Sequence, residues 1–403
     1  MRVSIEKSNI VGTIKAQPSK SMAHRLLICA ALSGGVCKIE NITYSDDVLA
    51  TIECIRALGV DCEQYEDFVV VHGLNYSDMT VNRDLDCKEC GSTLRFFIPI
   101  VLLLNKNVTL KGSQKLFSRP LDAYETLCNE RQFFFKKSND SVIVNGSLKA
   151  GEYNLVGNVS SQYISGMMFA LSALNGKSAI NITTKLESRS YIDLTISALN
   201  SFGIKAYFES ENKIIVLGGT FTPQNAVVEG DYSNAAFLDA LNYLDYNVNV
   251  LGLKKDSFQG DKVYKEYFDK IKFGAPVLDI SNCPDLAPVL FVLAAYFNGA
   301  TFVGTKRLKI KESDRAIAMK NELEKFGVSI EVFDNKVVIN NSKLHVPTSS
   351  LYGHNDHRIV MALSVLLTKL GGEIYGAEAI NKSYPTFFDD LISLNCEMNI
   401  FED

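Results

Sequence analysis

Six times along the chain a short cluster of small, polar or charged residues runs straight into a stretch of apolar and small residues, at 20–35, 91–104, 160–176, 231–244, 284–299 and 355–372. Each stretch predicts a helix apolar nearly all round, hence buried. Five of the six end close to a glycine or an Asn-Gly pair, the expected helix stop. A strand-like stretch follows each one, at 36–43, 107–113, 177–184, 246–253, 299–308 and 372–380. A second helix with one wet face comes next, as at 46–60, 188–204 and 313–328, and most units close with two strands joined by a turn, as at 328–340.

The repeat length is about 70 residues for most steps and about 50 for the fourth, longer than a solenoid repeat but the same kind of signal. Six βαβαββ repeats in two groups of three follow. The predicted fold class is α/β (α+β), with two lobes, each an inside-out α/β barrel of three buried helices wrapped by sheets. The polar N-termini of the buried helices are then expected to converge between the lobes.

Composition narrows the function classes. The chain has 403 residues, 47% hydrophobic and 22% charged, with nine cysteines and no tryptophan. That excludes a disordered tail, a collagen-like fibre and a disulfide-stapled miniature scaffold. With 41 Lys plus Arg against 46 Asp plus Glu, the net charge of −5 gives no electrostatic reason to expect nucleic acid. The first twenty residues alternate apolar and polar, so neither a signal peptide nor an anchor is read there, and the run from Phe96 to Leu104 is too short to span a bilayer. A soluble cytoplasmic protein with reduced thiols, expected to be a monomer, is the reading. Cys87 and Cys90 form the one CxxC pair and are read as packing residues rather than a zinc site. His354 and His357, spaced to share a helical face, are read as a capping and a packing histidine. No metal and no cofactor are expected.

Helix N-termini present free N–H groups and a partial positive charge, and so favour anions. Lys20-Ser21 with Arg25, Gly91-Ser92 with Arg95, Ser160-Ser161-Gln162 and Asp356-His357-Arg358 repeat that arrangement, with guanidinium forks suited to phosphate or carboxylate. Taken singly, each is an ordinary cap; their recurrence points to polyanionic substrates. Arg119 stands before Pro120, a proline suited to a first helical turn. Residues 307–315 crowd Arg307, Lys311 and Arg315 around Glu312 and Asp314, which reads either as a solvated helix start or as part of a site. Ser188 to Tyr191 and Lys382 to Pro385 each precede a helix of the second type. Asp285, at the mouth of a buried helix, and Glu312 are the candidate acids and bases. There is no GxxxxGK[ST], no GxGxxG after a strand and no GxSxG, so kinase, dehydrogenase and serine-hydrolase readings lose their support.

The ordered series PSKSxxxR (18–25), CGSTLR (90–95), SRPLD (118–122), GNVSSQ (157–162), SYID (190–193), PDLAP (284–288), KESDR (311–315), NDHR (355–358) and KSYP (382–385) resembles the 5-enolpyruvylshikimate-3-phosphate synthase family of enolpyruvyl transferases along almost the whole chain. The resemblance implies a discontinuous lobe of residues 1–18 plus 230–403, a second lobe of 19–229, and an active site in the cleft between them that closes on its ligands. It implies transfer of the enolpyruvyl group of phosphoenolpyruvate to the 5-hydroxyl of shikimate 3-phosphate, with release of phosphate. Carried over position by position, Lys20, Ser21, Arg25, Ser160, Ser161, Gln162, Ser188, Tyr191, Asp285 and Lys311 are expected to bind shikimate 3-phosphate. Lys20, Gly91, Arg119, Gln162, Arg315, Arg358 and Lys382 are expected to bind phosphoenolpyruvate. Asp285 is expected to take the hydroxyl proton, Glu312 to give and recover the methyl proton, and Lys20 and Lys382 to neutralise oxygen charge.

The chain departs from the family's commonest pattern at Glu89 and His24, where asparagines are frequent, and at Arg307. Because Gly91 lacks a methyl group that would crowd the site, inhibition by glyphosate is expected. The sister transferase acting on UDP-N-acetylglucosamine is disfavoured, since the loop at 112–120 has no cysteine and Ser19-Lys20-Ser21 replaces its Lys-Asn motif. RNA 3′-phosphate cyclase lacks its histidine context here. A non-catalytic anion-binding repeat would account for the helix ends but not for Asp285 with Glu312.

Overall fold

The structure is a computed structural model and describes residues 1–402. The chain divides into two compact units, one of Met1–Gln17 with Gly230–Asp403 and one of Pro18–Glu229.

In the unit of Pro18–Glu229 the helices Lys20–Ala31, Gly91–Val101 and Ser161–Ser172 are buried on nearly every face, as their continuous apolar patterning requires. Each starts where a short polar side chain takes over an orphan backbone donor. Ser19, Cys90 and Ser160 accept from the amides of Met22, Thr93 and Gln162. The helices of the second type, Asp46–Ala57 and Arg189–Ser201, bury only one face.

Four of the six repeats supply a sheet by the same rule. The strands before and after a buried helix pair in parallel, because a helical crossover brings the chain back in the same direction. Two further strands then add antiparallel. Thus Glu152–Leu155 lies parallel to Gly176–Ile182, which continues antiparallel into Lys213–Gly218 and then Lys205–Ser210. The strands Leu85–Asp86, Val108–Lys111, Ser141–Asn145 and Phe134–Lys137 follow the same order.

The other unit packs the helices Tyr232–Tyr243, Ala287–Tyr296 and His357–Leu370 in the same way. The N-terminal strand Arg2–Ile5 lies between Gly372–Tyr375 and Met398–Phe401, antiparallel to both. The repeat that starts at Tyr232 has only a two-stranded sheet, which is why its sequence period is short.

The chain passes between the units through a strand exchange. Val11–Lys15 precedes the helix Lys20–Ala31, yet it pairs in parallel with Asn247–Leu251 rather than with Val36–Glu40. Val36–Glu40 pairs instead with Ala226–Val227. The two crossing points are held by Ser19 N–H donating to Glu229 O at 2.7 Å and Asp231 N–H donating to Gln17 O at 2.7 Å.

Among the described residues the sheets stay open, five of four strands and one of two, each ending at its own edges. The strands of a repeat are used up by its parallel pair and hairpin, so apolar packing of the buried helices, not hydrogen bonding, joins one sheet to the next. His354 and His357 do not share a helical face, because the helix begins at His357 and His354 sits before it at φ 51°.

Candidate active site

The sequence-predicted residues fall into two groups, one on each unit. In the unit of Pro18–Glu229, the N-termini of the helices beginning at Lys20, Gly91 and Ser161 carry the cations. Lys20 Nζ is 2.8 Å from Asp47 Oδ2, and both side chains keep 14% of their surface open. Arg25 is buried, with Nε donating to Thr195 Oγ1 at 2.9 Å, Nη1 to Ser21 O at 2.5 Å and Nη2 to Tyr191 O at 2.9 Å. Burial lowers its pKa to about 10, so it stays ionised at neutral pH. The phenyl ring of Phe96 lies 5.3 Å from its guanidinium carbon.

Arg95 Nη1 donates to Gln162 Oε1 at 2.8 Å and Nη2 to Pro120 O at 3.0 Å, while Gln162 Nε2 donates to Ser92 Oγ at 2.9 Å. Gln162 therefore ties the Gly91 helix to the Ser161 helix and fixes its own amide orientation. Arg119 is buried, and a methyl group on Gly91 would stand 2.7 Å from its Nη1 and 2.8 Å from Arg95 Nη1. Glycine lets both guanidinium groups lie against the helix start, and a methyl there would make their tips shift. Ser160 caps its helix and Ser161 is buried in the first turn. Ser188, also buried, holds φ 56°, a left-handed conformation uncommon for serine and concentrated at functional sites.

In the other unit the cations meet carboxylates. Arg315 is 1% exposed and engages three of them. Nε donates to Asp356 Oδ2 at 2.8 Å, Nη1 to Asp285 Oδ1 at 2.7 Å and Nη2 to Glu312 Oε2 at 2.8 Å. Asp285 is also 3.1 Å from Lys311 Nζ and 3.3 Å from Arg358 Nη2. Burial alone would raise its pKa, but Arg358, Lys311 and Arg315 outweigh it and hold the carboxyl well below the usual range. Asp356 is buried and does double duty, capping its helix by accepting from Arg358 N and anchoring Arg315. Lys382 Nζ donates to Asn355 O at 2.8 Å.

Two local readings differ from the sequence expectation, and of the two readings left open at 307–315 the structure removes one. Pro120 is not in a first helical turn; the helix starts at Asp122, and Pro120 O is the acceptor for Arg95 and for the Tyr163 hydroxyl. Arg307 to Arg315 is not a solvated helix start: a 3₁₀ turn, Lys306–Ile310, folds back and Arg315 is sealed in. Ser188 is the N-cap of Arg189–Ser201, so Ser190 and Tyr191 lie within the first turn of that helix rather than ahead of it, and it is the Tyr191 carbonyl that Arg25 uses.

Sequence reasoning missed the carboxylates that hold the cations in place. Asp47 looks like an acidic residue in a helical first turn and Asp356 like a cap, which both also are. Asp261 was missed outright. It is buried in a 3₁₀ turn and bonded by the Ser233 hydroxyl, and burial together with Asp285 raises its pKa to about 7.

The family model for EPSP synthase (3-phosphoshikimate 1-carboxyvinyltransferase) matches residues 5–391. The chain is 37% identical to the 3-phosphoshikimate 1-carboxyvinyltransferase of Clostridium perfringens (strain SM101 / Type A) over 98% of each chain. It is 39% identical to the Clostridium novyi (strain NT) protein of the same name over 96% of each. The solved EPSP synthase of Acinetobacter baumannii superposes with a TM-score of 0.80 over the whole of both chains at 20% identity, a likeness of fold. The match runs through both groups of residues and both crossing points, and the chain belongs to the EPSP synthase (3-phosphoshikimate 1-carboxyvinyltransferase) family.

Proposed function

We propose that this chain transfers the enolpyruvyl group of phosphoenolpyruvate to the 5-hydroxyl of shikimate 3-phosphate and releases phosphate, the step that leads toward chorismate and the aromatic amino acids. Family membership over the full length supports the reaction. The observation that carries the residue roles is Asp285 held among Lys311, Arg315 and Arg358, a base among cations that bind anions.

Lys20, Ser21, Arg25, Ser160, Ser161, Gln162, Ser188 and Tyr191 take the phosphorylated sugar-acid, with Asp285 and Lys311 completing its contacts. Gly91, Arg119, Gln162, Arg315, Arg358, Lys20 and Lys382 take phosphoenolpyruvate. Joining both groups of residues around one pair of substrates is part of this proposal. Protonation of the methylene carbon by Glu312 makes C2 electrophilic as the 5-hydroxyl attacks and Asp285 accepts its proton. The tetrahedral intermediate collapses when Glu312 recovers a proton from the methyl group and phosphate departs, with Lys20 and Lys382 balancing oxygen charge.

A carboxylate pinned by three cations is a weak base. Substrate anions that draw Arg315 and Arg358 toward themselves weaken that hold, so Asp285 becomes basic only once its substrates are bound. The proposal includes a monomer acting in the cytoplasm on free small molecules. Its nine cysteines, each a buried free thiol, fit a reducing compartment.

Phosphate release from phosphoenolpyruvate tests the reaction. It is expected with shikimate 3-phosphate as acceptor and not with UDP-N-acetylglucosamine. Release with neither acceptor would favour a binding protein.

A further inference from the structure

Beside Lys20, three side chains from three different elements point their donor atoms at one another. His24 lies in the helix Lys20–Ala31, Asp47 in the first turn of Asp46–Ala57, and Cys90 at the cap of Gly91–Val101. One ligand atom from each lies within 4.8 Å of the other two. His24 Nε2 and Cys90 Sγ are 3.9 Å apart. Bond lengths of about 2.0–2.1 Å to nitrogen and 2.3 Å to sulfur put tetrahedral neighbours about 3.5 Å apart, so His24 and Cys90 need to close by only a few tenths of an ångström, and Asp47 by at most about 1.3 Å.

The surroundings are those of a supported ligand set. His24 Nδ1 is 2.7 Å from Thr51 Oγ1, and Thr51 is 2.7 Å from Thr93 Oγ1. With the Nδ1–H donated to Thr51, the Nε2 lone pair faces Cys90, the outer-shell arrangement that orients metal-binding histidines. Cys90 Sγ is fixed by the Thr93 amide at 3.4 Å. His24 and Cys90 are each 1% exposed, while Asp47, which pairs with Lys20, keeps 14% of its side-chain surface open.

We propose that His24, Cys90 and Asp47 form a binding site for a thiophilic divalent cation such as zinc, and that filling it inhibits the enzyme by taking Asp47 from Lys20. One nitrogen, one sulfur and one carboxylate suit zinc or cobalt(II); magnesium and calcium need more oxygen donors. Binding exchanges the Cys90 thiol proton for the metal and releases it to solvent, so affinity falls as the pH is lowered. Lys20, whose ammonium is 2.8 Å from Asp47, then loses that counter-ion and faces a cation instead. The inference goes beyond the proposed reaction, and its first test does not depend on activity.

Titrating the metal-free protein with cobalt(II) is expected to give a thiolate-to-cobalt charge-transfer band that saturates at one equivalent. Cys90→Ala should abolish the band, Cys54→Ala should keep it, and His24→Gln should weaken cobalt binding at least roughly tenfold. If the variants fold poorly, zinc-edge X-ray absorption on the wild type should show a single sulfur neighbour. No band in the wild type, an undiminished band in Cys90→Ala, or a zinc shell without sulfur overturns the site. Equal fractional inhibition by one equivalent of zinc in wild type and Cys90→Ala, each against its own metal-free rate, overturns the regulatory role.

Discussion

The two groups of site candidates, one on each unit, hold their buried cations in opposite ways. On the unit of Pro18–Glu229 two buried arginines donate to neutral oxygens: Arg25 to Ser21 O, Tyr191 O and Thr195, and Arg95 to Gln162 and Pro120 O. Lys20 there pairs with Asp47. On the other unit Arg315 alone meets Asp285, Glu312 and Asp356. Neutral acceptors leave a positive field for an incoming anion to neutralise. Carboxylates cancel that field at rest and supply groups that can carry protons. Under the proposed reaction, the difference gives the first group chiefly to anion capture and makes the second, with its own anion-binding cations, the place of proton transfer.

The largest effect expected from breaking this contrast is at Arg315. Arg315→Met leaves three carboxylates clustered around a missing charge. Loss of a buried partner costs about 3–5 kcal/mol, so a fall in the unfolding midpoint together with loss of turnover should be seen in denaturant titration and assay. A variant as stable as wild type would show that the carboxylates do not depend on Arg315.

Arg25→Lys is expected to act differently, because it keeps the charge but loses the three-way fork. A charge-assisted hydrogen bond contributes about 1.5–3 kcal/mol, so the KM for shikimate 3-phosphate should rise at least roughly tenfold while kcat changes little. A fall in kcat with unchanged KM would remove Arg25 from anion capture.

Gly91→Ala tests the close approach of the guanidinium groups. The added methyl would sit 2.7 Å from Arg119 Nη1, so Arg119 must move. A several-fold rise in KM for phosphoenolpyruvate is expected, along with weaker inhibition by glyphosate, which the wild type should show. Equal sensitivity of both proteins to the inhibitor would mean that Arg119 is not displaced.

The smallest effect concerns pH and Asp261. Its folded pKa of about 7 lies above the unfolded value of about 3.9. Below the unfolded value both states are protonated and the group contributes nothing. As the pH rises from there to about 7 only the unfolded state gives up its proton, so stability drains away across that window. Asp261→Asn should flatten the decline in melting temperature between those pH values; an unchanged slope would refute the assignment.

Much of this was legible from sequence, for reasons that can be localised. The six buried helices show because an all-round apolar run behind a polar cap has few other readings, as at Ser19 to Ala31. The cations show because arginines recur at helix starts. The exchange of Val11–Lys15 for Ala226–Val227 has no local signal, since the partner strand of each lies about two hundred residues away and its alternation is that of any half-buried strand. Carboxylate partners stayed hidden for a different reason. Asp356 satisfies a cap and a guanidinium at once, and only the first role has a spacing rule. Cys90 and His24 lie sixty-six residues apart, so their contact exists only in the fold.

The division between capture and proton transfer is tested most directly at Asp285. Steady-state phosphate release by Asp285→Asn, with both KM values, is the measurement. General-base loss predicts a kcat lower by roughly 10²–10⁴-fold, with the KM for phosphoenolpyruvate unchanged or lower, because Lys311, Arg315 and Arg358 lose a competing anion. A wild-type kcat, or a raised KM with no loss of kcat, would contradict the account.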